Sequence, residues 1–320
     1  MGVRVGVDLM GSDSPPQAIF EAVIAISREL TAPDCLVVIA QHAFVPMLRS
    51  TYGVFPSIEF ITTEEAIKMD EAPLFAVRRK KNSSMAVGVR LLKEKTINAF
   101  VTTGNTGALV AFANLHLPML PHIERSALLV LMPTEKGNVA VLDVGANLTP
   151  QPQHLVSYAL LGSLYRQCMH GKKRPTVGLL NIGVEEQKGT KGLKETYQLL
   201  QKTFKSSFLG NIEGREVFQG KIDVLVTDGF TGNVFLKTSE GISSFLAEYL
   251  QKHFNIPEIV SHLHQQFNYS EHPGAFLCGV DGIIIKCHGF SDRQALMNGI
   301  RGAFKLAKKD ILSKLKSKLA

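Results

Sequence analysis

Short apolar runs rich in β-branched residues alternate with longer amphipathic stretches along most of the chain. Several short runs are apolar at every position, which is typical of strands covered on both faces of a sheet. We predict strands at 3–7, 35–40, 58–62, 97–102, 128–132, 139–144, 177–182, 224–227 and 283–286. We predict helices at 15–30, 72–95, 107–116, 152–168, 185–205, 233–253 and 291–316. This alternation predicts an α/β fold with a mostly parallel sheet and helices on both faces.

A single α/β domain over 1–320 is expected, because no low-complexity linker and no repeat of fixed period divides the chain. A helical hairpin is predicted as an insertion near 241–270, where Pro257 interrupts an apolar segment. Two interpretations of that segment stay open, namely packing against the core or a second subunit, and contact with a membrane or an acyl chain. The basic helix at 305–318 is either a solvated terminus or a contact for anionic lipid.

The charge balance favours an anionic partner. The chain has 35 basic and 28 acidic residues, for a net charge of +7, and a pI near 9.2. Dispersed basic residues without tryptophan argue against nucleic acid as that partner. The four cysteines form no Cys-x-x-Cys pair and no cysteine joins the histidine cluster, so we expect no metal. Neither a P-loop sequence nor a Gly-x-Gly-x-x-Gly run after the first strand is present, so we expect no cofactor. No basic leader precedes the first strand, so a cytoplasmic location is expected.

Two runs repeat the pattern Gly-x-Thr-Gly directly after a predicted strand. They are 103–109 (TGNTGAL) and 228–234 (DGFTGNV), and each leads into a predicted helix. A helix N-terminus favours negative charge, and glycine lets a ligand approach the backbone closely. The pattern predicts one anion site shared by the two turns, without the lysine of a P-loop. Its candidate binding residues are Gly104, Asn105, Thr106, Gly107, Gly229, Thr231 and Gly232.

Further polar side chains follow the predicted strands of the second half of the chain. Asp228 ends one strand and Asn233 lies in the turn after it, where capping and turn formation are the alternative roles. Asn181 and Lys188 belong to a third strand-to-helix turn, and Asn147 to a fourth. A lysine beside a glycine-flanked turn can hold phosphate as a point charge.

Two other strand ends carry titratable groups. Asp8 ends the first predicted strand, where a dinucleotide-binding fold would have its Gly-x-Gly-x-x-Gly sequence. Lys286 ends the last predicted strand, and His288 follows it directly before a glycine. This placement makes His288 the best candidate for a general acid or base, with a packed or capping histidine as the alternative.

These motifs, in this order, resemble the bacterial acyl-acyl-carrier-protein:phosphate acyltransferases (PlsX type) of phospholipid synthesis. The runs that match span nearly the whole chain, at 8–13, 78–85, 103–108, 143–147, 178–189, 223–241 and 274–292. The resemblance implies a Rossmann-like α/β/α sandwich similar to isocitrate and isopropylmalate dehydrogenases. It also implies a homodimer in peripheral contact with the membrane. The chain departs from the family pattern at Leu9, Ser12, Pro273, Asp281 and Cys287.

The resemblance implies transfer of a long-chain fatty acyl group from acyl carrier protein to inorganic phosphate, giving acyl phosphate for phosphatidic acid synthesis. Bound phosphate is itself the nucleophile, so catalysis comes from positioning and from donors aimed at the developing oxyanion. Within the resemblance, Lys188 and the 105–107 turn hold the phosphate. Asn233 and the backbone of Gly232 face the thioester oxygen.

The remaining roles are also implied by the resemblance. Asp228 orients the phosphate or a neighbouring base, and His288 or Lys286 assists the departing thiolate. Asp8, Asn147 and Asn181 complete the substrate-binding set. The acidic carrier protein docks on a basic segment made of Arg78, Arg79, Lys80 and Lys81. A downstream glycerol-3-phosphate acyltransferase is an expected partner.

Three other functions stay open at this level. A coenzyme A-dependent phosphate acetyl- or butyryltransferase would use the same anion chemistry with a different acyl carrier. A metal-dependent decarboxylating dehydrogenase would need a carboxylate cluster and a nicotinamide site, neither of which the sequence assembles. A non-catalytic, membrane-associated regulator would keep the fold without the reaction.

Overall fold

The chain divides into two units in the computed structural model, which describes residues 2–254, 256, 258, 274–289 and 293–320. One unit comprises Met1–Leu120 and His272–Ser313, and the other comprises Pro121–Glu271 and Lys314–Ala320. The division of the chain into one domain with an insertion stays a prediction.

Eleven strands and ten α-helices occur within the described residues. The strands are β1 (Arg4–Asp8), β2 (Cys35–Gln41), β3 (Ile58–Thr63), β4 (Ala99–Thr102), β5 (Ala127–Thr134), β6 (Gly137–Leu142), β7 (Val177–Leu180), β8 (Phe208–Ile212), β9 (Val224–Val226), β10 (Ala275–Cys278) and β11 (Ile283–Lys286). The helices are α1 (Pro16–Ser27), α2 (Val45–Tyr52), α3 (Pro73–Arg79), α4 (Ser84–Lys93), α5 (Thr106–His116), α6 (Pro152–His170), α7 (Lys191–Phe204), α8 (Gly229–His253), α9 (Arg293–Lys308) and α10 (Ile311–Leu319).

The first unit is built on strands in the order β3-β2-β1-β4-β11-β10. All neighbours pair in parallel except β10, which runs antiparallel to β11. The central strands β1 and β4 are buried at nearly every position, as their continuous apolar runs predict. Helices α4 and α9 pack on β1 and β4, and α1 packs on β2. The carboxyl ends of β1, β4 and β11 therefore lie at one edge, where Asp8, Thr102 and Lys286 end their strands.

The second unit has the strand order β5-β6-β9-β7-β8. β5 and β6 form an antiparallel hairpin, as the sequence predicts, and the other neighbours pair in parallel. Helix α6 packs on β6 and β9, and α7 packs on β8. The carboxyl ends of β6, β9 and β7 are therefore adjacent. The polar residues after these three strands are brought to one edge of this unit.

The two units confirm the α/β class and the mostly parallel sheets that the alternation predicts. Three predicted helices differ from the structure. The helix predicted at 72–95 is two helices, because Lys80 leaves the helical region and the Ser83 hydroxyl caps α4. The helix predicted at 185–205 begins only at Lys191, where Thr190 caps it. The C-terminal helix breaks at Asp310, whose φ is +49°.

Two strands and one helix are absent from the prediction. β8 contains Gly210 and Asn211, which are depleted in strands, and β10 has no β-branched residue. Helix α2 is only eight residues long. The predicted insertion near 241–270 begins inside α8, which continues without a break from Gly229 to His253. Its second helix lies outside the described residues. None of the described helices combines the length and the apolar character that crossing a bilayer requires.

Candidate active site

The β4–α5 turn of the first unit offers backbone donors rather than side-chain donors. Asn105 caps α5, because its Oδ1 accepts from the Ala108 N–H at 3.0 Å. Its Nδ2 donates to the carbonyl oxygens of Met69 and Glu71 at 2.9 and 3.0 Å. The N–H groups of Thr106 and Gly107 belong to the first helical turn, where no intrahelical acceptor exists. The Asn105 amide, which the sequence predicts to bind phosphate, therefore anchors the 69–71 loop. The N–H groups of Thr106 and Gly107 do not take part in anchoring that loop.

The glycines of this turn allow close packing. A Cβ at Gly107 would lie 2.6 Å from Cγ of Pro73, and one at Gly104 would lie 2.9 Å from Cε of Met85. The Gly104 N–H donates to Thr102 Oγ1 at 3.1 Å. Protein atoms lie close to both glycines in the structure, and the approach of a ligand to them stays a prediction.

Asp8 is a buried carboxylate at the carboxyl end of β1, with 1% of its surface exposed. It accepts hydrogen bonds from the Met10 N–H at 2.9 Å and from the Thr102 hydroxyl at 3.0 Å. Burial raises the pKa of Asp8 to about 6, against the opposing hydrogen bonds from Ser84, Met10 and Thr102. Because Met10 and Thr102 belong to the segments that end β1 and β4, Asp8 stabilises the carboxyl ends of the two strands.

The raised pKa of Asp8 predicts a pH dependence of stability. The folded chain keeps a proton on Asp8 that the unfolded chain loses above about pH 4, so the free energy of unfolding falls as pH rises from about 4 to about 6. Urea unfolding of Asp8→Asn and the parent chain should therefore show a stability difference that shifts by about 2 kcal/mol between pH 4 and pH 7 in favour of Asp8→Asn. The exposed Asp70→Asn serves as the control and should show no such shift. A difference independent of pH would contradict the burial of the charge.

Lys286 is a buried cation at the end of β11, with 8% of its surface exposed. Its Nζ donates to the Thr103 carbonyl at 3.2 Å and contacts the Cys287 carbonyl. It therefore lies beside the first Gly-x-Thr-Gly turn. His288 is exposed two residues further on. Cys287 is buried, and burial raises the pKa of its thiol to about 11, so the thiol stays protonated at neutral pH.

The second Gly-x-Thr-Gly run is helical, which corrects its assignment as a turn. Helix α8 begins at Gly229, and Asp228 caps it. The Asp228 carboxylate accepts from the Thr231 N–H and from the Thr231 hydroxyl, both at 2.8 Å. Gly232 and Asn233 lie in the first turns of the helix. The predicted alternative for Asp228, helix capping, is thus what the structure shows.

The backbone after β6 packs directly against the start of α8. The Gly229 N–H donates to the Asn147 carbonyl at 2.8 Å, and Asn233 Nδ2 donates to the Val144 carbonyl at 3.1 Å. A Cβ at Gly232 would lie 1.9 Å from the Asp143 carbonyl oxygen, and one at Gly229 would lie 2.5 Å from the Asn147 carbonyl oxygen. These two glycines are therefore required by contact between two backbone segments.

Asp143 organises this contact and is absent from the predicted site. Its carboxylate accepts from the N–H groups of Leu128, Gly145, Ala146 and Asn147 and from the Asn147 amide, at 2.7 to 3.1 Å. Burial raises the pKa of Asp143, while these donors act in the opposite direction. The Asn147 amide also donates to the Ser126 carbonyl at 2.7 Å, so the Asn147 side chain stabilises the segment that follows β6. An aspartate at a strand end followed by Val-Gly was the available sequence signal.

The loop between β7 and α7 holds the other two predicted residues. Asn181 is buried; its Nδ2 donates to the Lys188 carbonyl at 3.2 Å and its Oδ1 accepts from the Ile182 N–H at 2.8 Å. Gly189 has φ +86°, and a Cβ there would lie 2.6 Å from Asn181 Oδ1. The Lys188 side chain is exposed. Asn181 thus shapes the loop, and Lys188 is available to solutes.

The basic segment predicted to dock the carrier protein is only partly available. Arg78, Arg79 and Lys81 are exposed. Lys80 is half-buried, because its Nζ donates to the Ala66 carbonyl at 2.7 Å and pairs with Glu71 at 2.5 Å. Lys80 therefore fixes the 66–71 loop, which corrects its assignment to the docking surface.

The structure thus groups the predicted residues within each unit. Asp8, Gly104 and Lys286 meet around the β4 end of the first unit, with Thr102 and Thr103 between them. Asn147, Gly229 and Asn233 meet around the β6 end of the second. Action of both turns on one anion stays a prediction. Among the described residues, no group of three His, Cys, Asp or Glu side chains could hold a metal ion.

Comparison with known proteins adds the following findings. A family model described as "Fatty acid synthesis protein" matches residues 3–314. The phosphate acyltransferase of Chlamydia felis is 41% identical over 324 residues, which cover 100% of both chains.

Two solved structures resemble the fold. A phosphotransacetylase from Streptococcus pyogenes has a TM-score of 0.68 at 14% identity and covers 96% of this chain and 94% of its own. A 4-hydroxythreonine-4-phosphate dehydrogenase from Burkholderia phymatum has a TM-score of 0.52 at 11% identity and covers 96% and 98%. At these identities the likeness is one of fold, and it confirms a Rossmann-like α/β/α architecture.

Proposed function

Since this chain belongs to the fatty acid synthesis protein family, we propose that it transfers a long-chain fatty acyl group from acyl carrier protein to inorganic phosphate. The chain is an acyltransferase, and acyl phosphate and free carrier protein are its products. The observation that carries this proposal is the 41% identity to a phosphate acyltransferase over the whole of both chains. No cofactor takes part in the proposed reaction.

The chemistry asks the protein to position two substrates and to stabilise charge. A phosphate oxygen attacks the thioester carbonyl carbon, the carbonyl oxygen becomes an oxyanion, and the C–S bond then breaks to release the carrier thiolate, which takes up a proton. The N–H groups of Thr106 and Gly107 at the start of α5, with Lys286 beside this turn, supply positive potential for phosphate. Lys188 adds a mobile point charge. These contacts lower the barrier by holding the nucleophile in place.

The oxyanion and the leaving group need donors of their own. Asn233 Nδ2 carries two hydrogens, and donation of one to the Val144 carbonyl fixes the amide so that the other can face the thioester oxygen. Asp228, held by Thr231, orients the phosphate. His288 is exposed and can protonate the departing thiolate, with Lys286 as the alternative donor.

The reaction itself is tested with purified protein, palmitoyl-acyl carrier protein and millimolar phosphate. Acyl phosphate, trapped as its hydroxamate, should form only when phosphate is present. Palmitoyl- and acetyl-coenzyme A as donors in parallel reactions test the alternative, a coenzyme A-dependent phosphate acyltransferase, which the phosphotransacetylase fold makes worth testing. Turnover with acetyl-coenzyme A alone would replace the proposal by that alternative.

Carrier-protein docking makes a separate prediction. Arg78→Glu/Arg79→Glu should lower the association rate with acidic carrier protein at least tenfold at low salt, because exposed charges act on encounter rates. The loss should shrink at high salt. The control Arg174→Glu/Lys202→Glu makes the same change in net charge at exposed positions of the second unit and should have a much smaller effect. Equal effects of the two variants would remove the basic segment from the docking surface.

The cellular setting is also part of the proposal. We propose a cytoplasmic homodimer that contacts the membrane peripherally and delivers acyl phosphate to a glycerol-3-phosphate acyltransferase. Support comes from the exposed apolar side chains of α8, which soluble monomers rarely leave uncovered in such number. They are Ile242, Phe245, Leu246 and Tyr249.

A further inference from the structure

Exposed apolar side chains surround the polar strand ends of the second unit. Leu148 follows β6, Ile182 and Val184 follow β7, and Phe230 and Val234 follow β9; each is between 51% and 80% exposed. We call these five residues the apolar rim. Because β6, β9 and β7 are adjacent and parallel, their following segments lie at one edge of the unit. The rim therefore belongs to the same edge as Asp228 and Asn233.

The exposure of the rim is built into ordered backbone. Asn181 ties both ends of the loop that carries Ile182 and Val184, and Asn211 Nδ2 donates to the Glu185 carbonyl at 2.8 Å. Phe230 and Val234 lie one helical turn apart at the start of α8, which is fixed by its contacts with the segment after β6. A fold that holds aliphatic and aromatic groups in water at the mouth of a polar site gives up hydrophobic stabilisation there. Such patches mark places where a ligand or partner binds.

The geometry points to the acyl chain of the thioester as the occupant of the apolar rim. This inference rests on the proposed function. A thioester substrate has a polar carbonyl and a long apolar tail, and the edge offers both environments, with polar groups at Asp228 and Asn233 and apolar groups around them. Ligands of parallel sheets bind outside the carboxyl ends of the strands.

The test compares acyl donors of different length on one carrier. Ile182→Ser/Phe230→Ser should lower kcat/KM for palmitoyl-acyl carrier protein about tenfold or more, mainly through KM, because apolar contacts are lost. The loss with the butyryl donor should be several-fold smaller, since a short chain reaches fewer rim residues. The matched control is Leu209→Ser at the start of β8, an exposed leucine at the opposite end of the same unit's strands. It should leave the ratio of palmitoyl to butyryl activity unchanged.

One result would overturn the inference: an equal fractional loss for both donors, which would leave the palmitoyl-to-butyryl ratio unchanged. A second measurement separates this inference from the proposed function. Fluorescence titration with dansyl-undecanoic acid reports apolar-chain binding without any transfer to phosphate. If the parent chain transfers no acyl group at all, the proposed function fails, and the titration alone decides. At least fivefold weaker binding by Ile182→Ser/Phe230→Ser than by Leu209→Ser supports the rim, and equal binding overturns it.

Discussion

Replacing Gly232 with alanine is expected to destabilise the protein by about 3 kcal/mol or more and to lower turnover about a hundredfold. The added Cβ would lie 1.9 Å from the Asp143 carbonyl oxygen and 2.8 Å from Thr227 Cγ2. A backbone carbonyl cannot rotate out of the way as a side chain can. The first turns of α8 would have to move away from the segment after β6, and Asn233 would move with them.

The control for this substitution lies in the same helix. Gly241→Ala places its Cβ where no atom lies within 4 Å. It should stabilise α8 by about 0.5–1 kcal/mol, because alanine is the better helix former. Urea unfolding and steady-state turnover of both variants give the comparison. Similar stability and turnover for Gly232→Ala and Gly241→Ala would contradict the packing of α8 on the Asp143 carbonyl.

The α/β class and most of the strands could be predicted from the sequence. Continuous apolar runs identify β1, β4 and β9, because a strand that is buried on both faces needs apolar side chains at nearly every position. This pattern misses β8, where Gly210 and Asn211 are types depleted in strands, and β10, which has no β-branched residue. Whether an amphipathic stretch such as 72–95 forms one helix or two depends on a single cap, here Ser83.

The roles of the glycines and asparagines in the two Gly-x-Thr-Gly runs could not be predicted from the sequence. A Gly-x-Thr-Gly run is compatible with ligand approach and with backbone packing, and only the neighbouring segment decides between them. For Gly232 that segment begins at Asp143, nearly ninety residues earlier in the chain. Asn105 likewise finds its acceptors at Met69 and Glu71. Such long-range partners leave no local signal in the sequence.

Tertiary contacts also distinguish the four residues of the basic segment from one another. Four consecutive charged residues look alike in sequence, but only Lys80 meets a carboxylate and a carbonyl of the folded chain. A lysine with buried partners keeps a loop in place, while its exposed neighbours act over distance on other molecules. The charge of the sequence therefore predicts an anionic partner, but the tertiary structure is needed to identify the residues that can contact that partner.

Replacing Lys286 with methionine is expected to lower kcat/KM for phosphate by a factor on the order of 10²–10³. Lys286 is a buried cation beside the turn whose N–H groups are proposed to hold phosphate, and the low local dielectric strengthens its attraction for an anion. Methionine fills a similar volume without the charge. The relief of desolvation on removing a buried charge opposes the loss of its bond to the Thr103 carbonyl, so the thermal midpoint of Lys286→Met should stay close to that of the parent, which separates lost catalysis from lost folding.

The measurement is steady-state kinetics with phosphate varied at saturating palmitoyl-acyl carrier protein. Lys93→Met, at an exposed position of α4 in the same unit, is the control and should keep parental kinetics. A rise in KM for phosphate with little change in kcat would assign Lys286 to binding, since it would then act equally on the ground state and the transition state. A fall in kcat would assign it to the transition state, where the developing charge or the departing thiolate needs a donor. Turnover of Lys286→Met within twofold of the parent would remove Lys286 from the proposed phosphate site.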